Sequence, residues 1–259
     1  MLGAGRMGGA LIEGWLKART YTPDQLIIRD PFPSPQILEL EGQGCRLNPQ
    51  DGGLALAQTV LLAVKPQIWR ETAEAVQAHL APDAIILSVA AGVSTADLSR
   101  SFGGRRVARI MPTTGAAIGQ GVASIFTTDA TARARAHALF SPVGTVVDLD
   151  DESLMHAATG VSGSAPAYFY AFVEALEAAG IEAGLPADSA RKLAHATMTG
   201  AAALMAERQA DPSDLRRQVT SPNGTTEAAL KILMGSEGLG PLLRDAVAAA
   251  TQRSRELGG

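Results

Sequence analysis

The sequence predicts an α/β protein: a doubly wound parallel sheet over residues 1–150 with a truncated first strand, followed by an all-helical half over 151–259. Three observations carry that reading. Short apolar runs alternate with helical stretches through the first 150 residues, the rhythm of a parallel sheet with crossover helices. Beyond Asp151 the β signal fades, and Ala, Leu and Glu recur at helical spacing. The chain also opens MLGAGRMGGALIEGW, with glycines at Gly3, Gly5 and Gly8 leading into an amphipathic stretch.

A helix is expected over 8–19, directly after the glycine turn. Such a turn normally follows a buried strand, which is central in a doubly wound sheet, yet only Met1 and Leu2 precede it. A missing central strand would forfeit ladder bonds of about 1 kcal/mol each and buried side chains of roughly 1.5–3 kcal/mol each. That loss approaches a domain's net stability of about 5–15 kcal/mol, so the natural chain is expected to begin upstream of Met1. The next strands are LIIRD (26–30), TVLLAV (59–64), AIILSVAA (84–91), VARIM (107–111), ASIF (123–126) and TVVDL (145–149). Their unbroken apolar character points to strands covered on both faces. Helices are expected over 67–80 and 130–140.

In the second half, Tyr168, Phe172, Ala175, Leu176 and Ala179 form an apolar stripe at helical spacing. GLPADS (184–189) places a glycine stop before a proline start, and DPSD (211–214) offers Asp211 as N-cap with Pro212 at the first helical position. Small residues crowd 200–203 and 246–250, which implies close helix packing and a core completed in a dimer.

Composition narrows the function classes. With 46% hydrophobic and 19% charged residues among 259, the chain can bury a large core. Its 22 Lys and Arg against 26 Asp and Glu, a net charge of −4, lack the basic footprint of a nucleic-acid binder. The single Cys45 excludes an internal disulfide framework. His79, His137, His156 and His195 are too scattered for a zinc site, so no metal is expected. No apolar run approaches the roughly 20 residues that cross a bilayer. A cytoplasmic protein without a membrane partner is expected.

The glycines of GAGRMG have distinct physical tasks: Gly3 permits the tight turn, Gly5 lets backbone approach a pyrophosphate, and Gly8 lets the helix sit close to the sheet. The helix start supplies free N–H groups and a positive dipole end. Asp30 closes a strand 22 residues beyond Gly8, where a ribose-reading acid is expected. In IIRDP, Asp30 either accepts from a ribose 2′-OH, favouring NAD, or caps the loop, while Arg29 either meets a 2′-phosphate or is a solvated charge. LLAVKPQ ends a strand with Lys65 and Pro66 at a carboxyl edge, where ligands of open α/β sheets bind; water is the alternative partner. RIMPTTGAAIGQG repeats the situation, with Thr113 and Thr114 as short hydroxyls or as part of a plain turn. In VSGSAPAYFY, Ser162, Gly163 and Ser164 either cap a helix or line a pocket, and capping is the simpler expectation. In VTSPNGTTEAAL a turn precedes a helix starting at Thr225 and Thr226, whose N–H groups either hold a small carboxylate or take an ordinary N-cap.

Together, GAGRMGGALIEG, AVKPQ, SVAAGVS, RIMPTTGAAIGQG, SGSAPAY, EAGLP and above all VTSPNGTTEAAL resemble the pyrroline-5-carboxylate reductase family over almost the whole chain. The resemblance implies an N-terminal Rossmann domain and a C-terminal helical domain that dimerises by interleaving helices, in some members within larger rings of dimers. It also implies reduction of the cyclic imine 1-pyrroline-5-carboxylate to L-proline by NADPH or NADH, the last step of proline biosynthesis. Carried over by position, Gly3, Gly5, Arg6, Met7 and Gly8 would bind the cofactor phosphates, with Lys65 and Pro66 near the nicotinamide. Ser221, Asn223, Gly224, Thr225 and Thr226 would surround the substrate, with main-chain N–H groups on its carboxylate and Thr226 near the ring nitrogen.

Three departures stand out. The family usually reads MPNTP where this chain has Met111, Pro112, Thr113, Thr114 and Gly115, so Thr113 replaces an asparagine expected beside the cofactor. Asp30 and Pro31 stand where the family often carries Asn-Arg or Ser-containing pairs that suit NADP, and NADH is expected to be used better than usual. The family's first strand, ahead of the glycines, is not in this sequence. Two rival readings are a hydroxyacid dehydrogenase of the same two-domain plan and a non-catalytic nucleotide-binding relative. Alcohol oxidation needs a proton acceptor. The helical half offers only Lys192, Lys231, His156 and His195, none of them beside the SGSAPAY or SPNGTT turns. A protonated imine needs no such base, so the imine reading gains.

Overall fold

The computed structural model describes residues 1–257, apart from the Asp51 side chain. Five strands form one sheet in chain order: β3 (Thr59–Leu62), β4 (Ile85–Ser88), β5 (Val107–Pro112), β6 (Gly121–Phe126) and β7 (Gly144–Asp148). Ahead of them, β1 (Ile27–Ile28) and β2 (Arg46–Leu47) pair in parallel as a separate ladder. Leu2 joins the two, bridging in parallel to Arg29 on one side and Leu62 on the other. Its N–H donates to Leu61 O at 2.8 Å and its carbonyl accepts from Ala63 N at 2.8 Å. On the other side Gly3 N donates to Arg29 O at 2.9 Å. The glycine turn is thus preceded by one bridging residue, held between β1 and β3.

The apolar runs become strands because both faces are covered. Leu61, Ile85 and Leu87 enter the core beneath α1 (Arg6–Lys17), with its buried Leu11, Ile12 and Trp15. Val60, Leu62 and Ile86 enter the opposite core with Trp69, Ala73 and Val76 of α3 (Trp69–Val76) and Leu98 of α4 (Thr95–Ser101). Period-two alternation feeds both layers, so no polar face remains in the sequence pattern. The predicted helix over 67–80 is α3 flanked by tighter 3₁₀ turns at Pro66–Ile68 and Gln77–His79. The helix over 130–140 is α5 (Ala130–Phe140), capped by Asp129, whose side chain accepts from Ala132 N.

One expectation is corrected. The sheet is parallel except at β5 and β6, which run antiparallel with Arg109 opposite Phe126. Only one 3₁₀ turn, Thr114–Ile118, links them. A parallel crossover needs about a dozen residues or more, so this link forces a reversal. After β6, α5 provides that crossover and β7 returns parallel. α2 (Pro35–Glu41), β2 and α4 were not in the predicted set.

The chain divides into two compact units, Met1–Gly163 with Ala248–Gly259, and Ser164–Val247. The first closes with α6 (Leu154–Ala158) and a π turn, Thr159–Gly163. The second is helical: α7 (Ala165–Glu182), α8 (Ala187–Arg208), α9 (Pro212–Gln218), α10 (Thr225–Leu233) and the first part of α11 (Leu239–Glu256). Asp211 caps α9 as predicted, its side chain accepting from Ser213 N, with Pro212 at the first position. The apolar stripe predicted at helical spacing lies on α7. Phe172 and Leu176 are exposed, as are Phe169 and Tyr170. Among the described residues, no helix is long and apolar enough to cross a membrane.

Candidate active site

The first unit gathers the predicted cofactor residues at the carboxyl ends of β1, β3 and β5. Gly3 takes φ +85°, and a Cβ there would stand 2.8 Å from Ala63 O, so the glycine turn lies directly on the end of β3. A Cβ on Gly8 would collide with the Gly3 carbonyl, which is why α1 can start so close to the turn. Over Gly5 the space is open, with nothing within 4 Å of a built Cβ. Gly5 is the N-cap of α1 and gives no side-chain cap, and the first turn, Arg6, Met7 and Gly8, carries no acid. Uncapped helix-start amides under an open glycine are a cradle for phosphate oxygens, so the residues present fit a dinucleotide.

Lys65 and Pro66 follow β3 beside that cradle; Lys65 is exposed, and its carbonyl accepts from Ile68 N at 3.1 Å. Asp30 is turned inward. Its Oδ2 accepts from Ala4 N at 2.6 Å and its Oδ1 from Phe32 N at 2.8 Å. Asn48 grips the same residue, accepting from Asp30 N at 2.9 Å and donating to Asp30 O at 2.8 Å. Asn48 was missed from the sequence, although its place before Pro49 marked a turn. Thr113 is buried at the end of β5, where its Oγ1 accepts from Val122 N at 3.0 Å. That hydroxyl keeps its proton for a further acceptor.

A cleft of about 270 Å³ lies at the other, amino-terminal edge of β1 and β3, lined by Met1, Trp15, Tyr21, Leu26, Leu61 and Leu139. Its walls carry none of the predicted site residues. Beside it the Met1 ammonium donates to Ile27 O at 2.7 Å, and burial lowers its pKa to about 6.

On the opposite side of the first unit's sheet lies a polar cluster that the sequence did not announce. Arg109, on β5, has a side chain only 3% exposed, and its Nη1 lies 3.3 Å from Glu152 Oε1. Glu152 also accepts from Thr95 N at 2.7 Å and Thr95 Oγ1 at 2.8 Å, holding the start of α4. Burial lowers the pKa of Arg109, opposed by Glu152. His156, whose Nδ1 lies 3.1 Å from Ser254 Oγ, is lowered first by burial and then by Arg109 and Arg255.

In the second unit, SPNGTT folds as a turn into α10. Gly224 N donates to Ser221 O at 3.1 Å, and Asn223 takes φ +59°. A Cβ on Gly224 would press on Ser221 Oγ and stand 3.1 Å from Ser221 O, so the turn packs closely at this glycine. Gly224 is the N-cap and supplies no side-chain cap, leaving the Thr225 and Thr226 amides at the helix start. The first-turn acid Glu227 is drawn away to Asn223 N at 2.7 Å. The alternative of an ordinary side-chain N-cap on α10 is therefore absent. At SGSAPAY the capping expectation also fails. Ser164 is the N-cap of α7 but makes no capping bond, and Ser162 Oγ donates back to Ala158 O at 2.8 Å, because the π turn widens the backbone there.

A glycine cradle at the carboxyl edge of a doubly wound sheet, followed by a helical domain, defines the class of NAD(P)H-dependent oxidoreductases. Residues 1–92 match the family model described as NADP oxidoreductase, coenzyme F420-dependent. Residues 152–257 match the model for pyrroline-5-carboxylate reductase dimerisation. The pyrroline-5-carboxylate reductase of Pseudomonas aeruginosa is 38% identical over 99% of this chain and 95% of its own. A solved pyrroline-5-carboxylate reductase from Coxiella burnetii superposes with a TM-score of 0.87 at 31% identity, covering 100% of this chain and 97% of that one. The pyrroline carboxylate reductase of Plasmodium falciparum with NADP bound shares the fold, with a TM-score of 0.85 at 24% identity over 100% of this chain and 97% of its own. This chain belongs to the pyrroline-5-carboxylate reductase family.

Proposed function

We propose that the protein reduces the C=N bond of 1-pyrroline-5-carboxylate to give L-proline, the last step of proline biosynthesis. The observation that carries this reading is the SPNGTT turn, where close packing of Gly224 on Ser221 leaves the start of α10 without a side-chain cap. Free amides at Thr225 and Thr226 suit a substrate carboxylate, with Ser221, Asn223 and Gly224 forming the turn around it. Thr226 is a half-buried hydroxyl one position inside the helix, suited to orient the ring nitrogen. Gly3, Gly5, Arg6, Met7 and Gly8 would hold the cofactor phosphates, Asp30 the adenosine ribose, and Lys65, Pro66 and Thr113 the nicotinamide end. When bound, NADPH or NADH supplies the hydride. The protonated imine is already electrophilic, so the protein's task is to position it and balance its carboxylate, with no strong base required.

The working unit we propose is a homodimer, or a ring of such dimers. The match of 152–257 to a dimerisation model supports it, as does the exposure of Tyr170 at 69% and Ile232 at 78%. Sedimentation equilibrium of the purified chain tests this, and a monomer at micromolar concentration overturns it. The free, buried Cys45 suits a reducing compartment such as the cytoplasm.

The activity is tested by following oxidation of NADH and NADPH with pyrroline-5-carboxylate, then reduction of NAD⁺ and NADP⁺ with hydroxyacids. Turnover only with the imine is expected. Turnover only with hydroxyacids, or none at all, overturns the reading.

A further inference from the structure

We infer that Asp30 makes the cofactor site select the nucleotide that lacks a 2′-phosphate, NADH over NADPH; this rests on the nucleotide-binding reading above. The carboxylate is fixed in place. Ala4 N and Phe32 N each donate to one of its oxygens, at 2.6 and 2.8 Å, and Asn48 holds the Asp30 backbone from both sides. These bonds tie Asp30 to the glycine turn itself, where an acid about 20 residues beyond the glycines meets the ribose 2′-OH. An oxygen that accepts one amide keeps a lone pair for a hydroxyl. To a 2′-phosphate the same group is an immobile like charge, and it cannot swing away without releasing the turn.

The segment that follows supplies no compensating cation, and Arg6 of the glycine turn is assigned above to the pyrophosphate. Residues 31–45 contain no Lys or Arg, and their charged members are Glu39 and Glu41. Arg46, the next base, pairs with Ile27 on β1, three residues before Asp30 and so about 10 Å back along the strand. Arg29 is adjacent in sequence, but successive residues of an extended strand project to opposite faces. Two positions beyond Asp30, Phe32 is 89% exposed and presents an uncharged ring. The segment after Asp30 therefore offers an acceptor for a 2′-hydroxyl and no cation of its own for a 2′-phosphate.

The full chain, freed of nucleotide, is titrated calorimetrically with 5′-AMP and with adenosine 2′,5′-bisphosphate. NADH and NADPH are compared by nicotinamide fluorescence. The forms without the 2′-phosphate are expected to bind about tenfold or more tightly, the effect of one like-charge contact. Ser34→Arg places a cation nearby; Ser34 precedes α2 and makes no capping bond there, so the helix start is spared. It is expected to narrow the ratio severalfold, and an unchanged ratio overturns the electrostatic origin. Asp30→Ser is expected to abolish the preference; if it unfolds instead, the wild-type ratio and Ser34→Arg decide. Equal or tighter binding of the 2′-phosphorylated forms by the wild type overturns this inference and leaves the cofactor site standing. Failure to bind either pair overturns both.

Discussion

Arg109 and Glu152 form a part-buried ion pair, Nη1 to Oε1 at 3.3 Å, that fastens the middle of β5 to the segment leading into α6. Nε and Nη2 of Arg109 are buried without a protein partner, so Glu152 carries the neutralisation of this guanidinium. Removing Glu152 leaves the buried Arg109 charge uncompensated, at a cost that reaches about 3–5 kcal/mol for a fully buried pair, whereas replacing both charges with neutral groups is far milder. Glu152→Ala is therefore expected to lose more stability in urea than the double variant Arg109→Met/Glu152→Gln. The reverse order would show that the pair is not what holds this site.

Stability should also depend on pH through His156. Burial, followed by Arg109 and Arg255, holds its pKa below the ordinary histidine value of 6.5, so as pH drops through that value the unfolded chain takes up a proton that the folded chain does not. The contribution of this group is full above the ordinary histidine value and is lost as pH falls below it. Urea midpoints measured from pH 5 to 9 trace the loss, and His156→Gln should remove it.

The two inner glycines of the cradle should separate folding from binding. Alanine at Gly8 would drive a methyl into the Gly3 carbonyl, so Gly8→Ala is expected to lower the melting temperature markedly. Alanine at Gly5 meets open space at φ −66°, an ordinary backbone angle. Gly5→Ala should melt like the wild type yet bind NADH at least tenfold more weakly, a loss of about 1.4 kcal/mol. Equal nucleotide affinity in a folded Gly5→Ala protein would move the phosphate away from this turn.

Thr226→Val keeps shape and removes the hydroxyl. A hydrogen bond to the ring nitrogen worth about 1 kcal/mol predicts a roughly fivefold fall in kcat/KM with an unchanged melting temperature. A change within about twofold, less than that bond, would remove Thr226 from the reaction.

Sequence pattern revealed most where burial repeats. β3 and β4 were legible because Val60, Leu61 and Leu62, and Ile85, Ile86 and Leu87, pack alternately on two cores. The direction of β6 was not legible, since direction follows from the length of a connection and not from apolar spacing. α2 has only seven residues and two buried side chains, too few to show a period. The glycine spacing displayed the cradle at once. The grip of Ala4 and Asn48 on Asp30 stayed hidden, because hydrogen bonds between residues 18 and 26 apart leave no local pattern. Ser164 misled for a related reason: the π turn before α7 is a backbone choice that short polar residues do not encode.

The bridge at Leu2 has a consequence for motion. The ladder of β1 and β2 and the five-stranded sheet share one residue of pairing at that point, so the hydrogen bonds across it are the natural place for local opening, well below the free energy of global unfolding. A dinucleotide spanning Asp30 on one side and Lys65 on the other would act as a clasp across that seam, and amide exchange at Arg29 should slow when it binds. Occupancy of the proposed cofactor site and rigidity of this joint would then be the same event.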